Sequence, residues 1–178
     1  MMRTSMFETM DLQAVQAEAK DAERLAQIHV CSWKEAYRGI IADEVIAGFA
    51  SENRSEIFSQ AIARNEETYY LFKINGKSAG FASIYKSHEE NVPADLGEIY
   101  AIYFHPDFWG TAITQYGLDF CIDRLKAMGF TRIAIWVLEG NLRARKFYEK
   151  NGFSFDGNAT EINLGKLLRE LRYSKSVE

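Results

Sequence analysis

The chain has 178 residues, 47% of them hydrophobic, and 21 Lys and Arg against 25 Asp and Glu give a formal charge of −4. That length suits one domain with its own core, and the apolar content with only two prolines excludes a disordered chain. A mildly acidic total argues against a nucleic-acid binder, which leans on a clustered basic excess.

The N-terminal stretch lacks the apolar run of a secretory signal, and the longest pure apolar runs, such as 133–138, fall far short of the ~20 residues of a membrane span. Cys31 and Cys121 form no CxxC pair and read as two reduced core thiols. The expectation is a cytoplasmic protein with no membrane contact, folded as a single domain over 1–178.

In chain order, residues 12–18 read as a first strand. Asp21 is a candidate cap for a helix whose Leu25, Ile28 and Trp33 recur at helical spacing. A second helix is expected over 43–49, and a third from Ser51 with Ile57, Phe58 and Ile62 on its apolar side. The pattern then changes. Residues 68–74 are aromatic and β-branched, Asn75-Gly76 is a hairpin turn, and 79–85 return as the partner strand. Residues 97–104 read as a longer buried strand. A helix over 111–128 carries Ile113, Gly117, Phe120, Cys121 and Met128 close to one face, and Gly129 stops it. Residues 131–138 are apolar on both faces, as a central strand requires. Asn141 caps a helix that ends at Asn151-Gly152, and LLRELRY alternates like a strand. This order predicts a mixed α/β domain whose sheet is covered on both faces.

Several chemistries find no support. The chain has no GxxxxGK[ST], GxSxG, HExxH or GxGxxG, and His29, His88 and His105 are scattered, so no metal site is expected. Two segments carry more. Residues 97–120 run strand, His105-Pro106, an aromatic–Gly–small turn, then helix. A helix entered through small residues presents its first N–H groups and its positive dipole end to an anion, although an ordinary strand-to-helix connection looks the same. Residues 131–153 run strand, Asn141, then a helix with Arg143, Arg145, Lys146 and Lys150 and with Tyr148 one turn after Ala144. The plain alternative is a solvated basic helix with a core tyrosine.

Together the two segments resemble the GNAT family, the Gcn5-related N-acetyltransferases. The run strand–x–N–x–x–A–x–x–FYEKNGF is close to the family pattern, and the element order fits nearly the whole chain. The resemblance implies a mostly antiparallel mixed sheet with helices on both faces and a splay between the fourth and fifth strands. It implies acetyl-CoA as cosubstrate and no metal. In the family a [Q/R]-x-x-G-x-[G/A] turn after the fourth strand seats the pyrophosphate. Here Trp109 stands for Gln or Arg, Ala112 for Gly and Thr114 for Gly or Ala, with Gly110 retained. The backbone donors of Gly110, Thr111, Ala112, Ile113 and Thr114 survive those changes. The added side-chain volume leaves two outcomes open: a shifted seat, partly helped by the Thr114 hydroxyl, or lost CoA binding.

By the same resemblance, Glu98 is the base that takes the proton of the attacking amine, and the backbone of Ile102, Tyr103 and Phe104 grips the pantetheine arm and the thioester oxygen. Tyr148 is the acid that protonates the leaving thiolate, Asn141 reaches the cofactor, and Arg143, Arg145 and Lys146 face its phosphates. Trp33 and Tyr37 are candidates for the acceptor pocket. The expected acceptor is a small-molecule amine or a protein N-terminus. The alternative is a non-catalytic domain of this fold that binds a ligand or partner. Edge strands near the C-terminus are compatible with a homodimer. Finally, residues 141–150 carry four basic side chains against Glu149, a local +3, so the rest of the chain sums to −7.

Overall fold

The computed structural model describes residues 10–49, 51–65, 67–87 and 92–177. The strands are β1 (Leu12–Gln16), β2 (Thr68–Ile74), β3 (Lys77–Lys86), β4 (Leu96–Phe104), β5 (Arg132–Leu138), β6 (Ser154–Asn163) and β7 (Leu167–Ser176). The helices are α1 (Ala22–Ala36), α2 (Asp43–Ala47), α3 (Ser51–Arg64), α4 (Ala112–Ala127) and α5 (Leu142–Lys150). The strands make one sheet in the order β1-β2-β3-β4-β5-β7-β6, antiparallel throughout except for the parallel pair β4 and β5.

The local signals act as read. Asn75 and Gly76 take φ of 49° and 76°, the left-handed pair that closes a two-residue hairpin, and β2 and β3 return on each other across it. Asn141 accepts the Ala144 N–H at 3.2 Å and starts α5. Alternation then sorts the sheet. Tyr69, Leu71 and Phe81 meet Leu25, Ala26 and Ile28 of α1 and Phe58 of α3 on one face. Phe72, Ile84, Ile99 and Ile135 meet Ile113, Leu118 and Leu125 of α4, with Tyr148 of α5, on the other.

Two features shape β4. Its pairing with β5 stops after Leu96, Gly97 and Glu98 opposite Arg132, Ile133 and Ala134. The facing edges of 99–104 and 135–138 therefore diverge, which is the splay between the fourth and fifth strands. On the other side Ser83 faces Ala101 while Ile84 faces Ile99, so Tyr100 is an extra, bulged residue. Phe104 ends the strand wedged between Gly80 and Gly117: a Cβ at Gly117 would lie 2.6 Å from its ring, and one at Gly80 would clash with it.

Some expectations are corrected. Asp21 precedes α1, but its carboxylate turns back and accepts the Glu18 N–H at 2.9 Å, closing a 3-10 turn instead of capping the helix. Ile57 and Met128 are exposed, one on the outer side of α3 and the other at the C-cap of α4, and Cys31, read as a core thiol, is exposed on α1. β1 stops at Gln16 and α2 at Ala47. β6 carries no sequence signal because it is an exposed edge strand pairing only β7, so nothing forces its polar run to alternate. His88 lies outside the described residues. Among the described residues no helix is long and apolar enough to cross a membrane.

Candidate active site

A cavity of about 730 Å³ fills the wedge between the diverging strands. Residues 100–104 of β4 form one wall and 135–137 of β5 the other, while the turn before α4 and the first turns of α5 close the ends. Unpaired backbone along a splayed strand leaves N–H and C=O groups that a ligand amide can satisfy.

The turn is built by short-range bonds. The Trp109 indole N–H donates to the Phe104 carbonyl at 2.8 Å, folding the ring back against the end of β4. Gly110 turns the chain at φ 74°, where a side chain would be strained. Thr111 is the N-cap of α4 in extended conformation, yet its side chain makes no cap bond and its hydroxyl donates to the Phe108 carbonyl at 2.7 Å. The Thr111 N–H is bonded to the Phe108 carbonyl at 3.2 Å and the Thr114 N–H to the Thr111 carbonyl at 3.1 Å, so the amides of Ala112 and Ile113 are the ones left at the cavity end with no side-chain acceptor among the described residues, as an anion seat requires. Thr114 does not contribute a donor there. Its hydroxyl is spent on the Thr111 carbonyl at 2.8 Å and the residue is buried, which also takes its branched side chain out of the approach path.

Three phenols converge at the centre. Tyr148 lines the cavity at 7% exposure. Burial pushes its pKa up, the neighbouring Tyr103 adds to the rise, and the Arg143 guanidinium opposes it. Tyr37 is raised chiefly by burial and then by Tyr103. Tyr103 is also raised by burial, while the Tyr37 and Trp33 side chains pull it back. All three are therefore neutral proton donors at neutral pH.

Of the predicted residues, Ile102, Tyr103, Phe104, Trp109, Gly110, Thr111, Ala112, Thr114, Asn141, Arg143, Tyr148 and Tyr37 line the cavity. Ile113 does not: its side chain is wholly buried against the sheet, leaving only its amide near the turn. Lys146 is exposed on α5 away from the wall, and Arg145 is drawn off to the Tyr173 hydroxyl and the Glu139 carbonyl. Trp33 is not part of the lining: it stacks on Phe49 at 3.9 Å, meets the Tyr37 ring edge-on at 5.1 Å and interacts through its side chain with Tyr103. Glu98 is buried at 3% exposure in the paired part of β4, one step behind the wall, where its charge acts on Tyr100.

Other residues at the site escaped the sequence reading. Tyr100, Trp136, Phe147 and Lys150 line the cavity. Glu170 acts electrostatically on Tyr37, Tyr100 and Tyr103, and burial raises its own pKa. Its signal was present: the alternation of LLRELRY puts a carboxylate in line with Leu168 and the buried Arg172.

Residues 23–153 match the model of the acetyltransferase (GNAT) family. The chain is 25% identical over 141 residues to an uncharacterized N-acetyltransferase of Mycobacterium tuberculosis, covering 79% of this chain and 87% of that protein. It is 28% identical over 131 residues to one of Bacillus subtilis, covering 71% of each. A relative in Methanocaldococcus jannaschii is 29% identical over 97 residues, and there the match spans only 43% of the relative's length. Among solved structures, the PaiA N-acetyltransferase of Thermoplasma acidophilum in complex with coenzyme A superposes with a TM-score of 0.73 at 18% identity, over 94% of this chain and 99% of that one. The yncA protein of Salmonella typhimurium with its cofactor acetyl-CoA gives 0.69 at 15% identity, over 94% and 95%.

Proposed function

Because the chain belongs to the acetyltransferase (GNAT) family, we propose that it is an N-acetyltransferase that moves an acetyl group from acetyl-CoA to a primary amine by direct attack in a ternary complex. The observation that carries this reading is the cavity in the β4–β5 splay, with open strand edges along it, uncapped α4 amides at one end and Tyr148 on its wall.

The residues divide the work. The backbone of 102–104 pairs with the amides of the pantetheine arm, and the amides of Gly110, Ala112 and Ile113 take the diphosphate. Acetyl-CoA supplies an activated thioester. An ammonium has no lone pair, so Glu98, one step behind the wall beside Tyr100, accepts the amine's proton through a water. Backbone N–H groups of β4 stabilise the charge gathering on the thioester oxygen. As the C–N bond forms and the C–S bond breaks, Tyr148, kept protonated by burial, gives its proton to the departing thiolate, and the second proton shed by the acylated nitrogen restores the phenol. Asn141 fixes the start of the helix that carries Tyr148. Tyr37, backed by Trp33, lines the side where the acceptor enters, whether a small amine or a protein N-terminus.

The second reading, a non-catalytic ligand- or partner-binding domain, is favoured by the departures at Trp109, Ala112 and Thr114. Melting with acetyl-CoA separates the two. A ligand present at a hundred times its Kd stabilises the native state by about 2.7 kcal/mol. We expect that shift, together with free-thiol release when a panel of primary amines is added. No shift and no thiol release at millimolar acetyl-CoA would overturn the enzyme reading in favour of the second.

A further inference from the structure

The residue that replaces the family's Gln or Arg at the head of the turn is not inert. Trp109 holds the Phe104 carbonyl with its indole N–H at 2.8 Å, and this bond fixes the plane of the ring. The Arg143 guanidinium lies over that ring, 3.5 Å from its centroid. Arg143 comes from the first turn of α5, 34 positions along the chain, and both residues line the same cavity. The next residues after Trp109 are Gly110 and Thr111, and the uncapped amides of α4 begin just beyond them, at Ala112 and Ile113. A guanidinium is a planar fork that matches phosphate oxygens, and stacking on an aromatic face holds it in one plane at little further entropic cost.

We propose that Trp109 and Arg143 form a stacked clamp for the diphosphate of the cosubstrate. Arg143 is the binding residue and Trp109 the residue that positions it. The cation that the turn itself lacks is supplied from α5 and parked over the indole beside the open amides. The inference rests on the acetyl-CoA reading above and deepens it. It explains how a turn that has lost its polar head and its glycine at 112 keeps an anion site: the amides remain, Thr114 turns away, and the charge arrives from another helix.

Calorimetry with CoA and with 3′-dephospho-CoA, which keeps the diphosphate, tests the clamp on Trp109→Ala, Trp109→Phe, Arg143→Ala and the double variant Trp109→Ala/Arg143→Ala. Loss of a charge-assisted phosphate contact is expected to weaken both ligands about tenfold in either alanine variant. The double variant should be no more than about twofold weaker than either single one, because both remove the same contact. Trp109→Phe, which keeps a ring under the guanidinium, should stay within about threefold of the wild type. Circular dichroism and melting of the free proteins show that each variant is folded. The clamp is overturned if the two losses multiply in the double variant, or if the Arg143→Ala loss disappears with dephospho-CoA. Failure of the wild type to bind either ligand would instead overturn the acetyl-CoA reading, and the clamp with it.

Discussion

In the proposed mechanism Tyr148 would serve packing and chemistry at once. Burial raises its pKa and keeps it protonated, which makes it a donor that is always loaded but releases its proton reluctantly. The nearby Arg143 charge works against that rise and eases the release. Removing the hydroxyl in Tyr148→Phe leaves the ring packed against Phe153 and the core. Steady-state assays should therefore show kcat lower by about a hundredfold or more with KM for acetyl-CoA unchanged. Equal turnover in the variant would remove the acid role. His29 makes a different statement. It sits among Phe49, Phe58, Phe81 and Tyr103, its Nδ1 has no hydrogen-bond partner among the described residues, and burial lowers its pKa from 6.5 to about 3. Between those values the unfolded chain holds a proton that the folded one refuses. Its contribution is therefore fully present above pH 6.5 and is lost as pH falls, at about 1.4 kcal/mol per unit. Urea unfolding at pH 7 and pH 5 should differ by about 2 kcal/mol in the wild type, and the difference should shrink in His29→Phe.

At the scale of elements, the site depends on where β4 ends. Gly117 in α4 and Gly80 in β3 let both elements close on Phe104, and Phe104 in turn forms part of the cavity wall. A glycine inside a helix normally gains about 1 kcal/mol when changed to alanine. Here the new Cβ would meet the Phe104 ring at 2.6 Å and Phe72 at 3.0 Å. Overpacking of that kind costs about 1–3 kcal/mol, so the usual sign should reverse. Gly117→Ala is expected to unfold at lower denaturant and to bind CoA more weakly, since the ring can only move toward the cavity; a stabilised variant would remove this account. The same elements show what can be read in advance. The Asn75-Gly76 hairpin, the Asn141 cap and the alternation of β7 rest on near neighbours, and each was legible. The splay came only through the family resemblance, because the point where β4 and β5 part is a property of two strands and not of either one. β6 has no apolar face to betray it. The stack of Arg143 on Trp109 and the approach of Glu170 to three tyrosines join residues far apart in the chain. No periodicity encodes such meetings.

Charge is arranged at the scale of the whole molecule. Residues 141–150 hold a local +3 within a chain of −4, so the remainder sums to −7. Within α5 the basic groups have different duties. Arg143 is committed to Trp109 and Arg145 to the Tyr173 hydroxyl and the Glu139 carbonyl, while Lys150 lines the cavity. Lys146 is exposed and off the wall, so in the proposed function it would act on an anionic cosubstrate only through its field. A field of this kind speeds encounter more than it holds the complex, and it is screened over about 8 Å at physiological salt. Lys146→Glu reverses one charge without touching the cavity. Stopped-flow binding of CoA at about 20 mM salt should then show association slowed by roughly threefold to tenfold, with dissociation unchanged. At about 0.5 M salt, where the screening length is only a few ångströms, the two proteins should associate at the same rate. A change in dissociation that survives high salt would mean that Lys146 touches the ligand directly, and α5 would then have to present a face to CoA other than the one that carries Arg143.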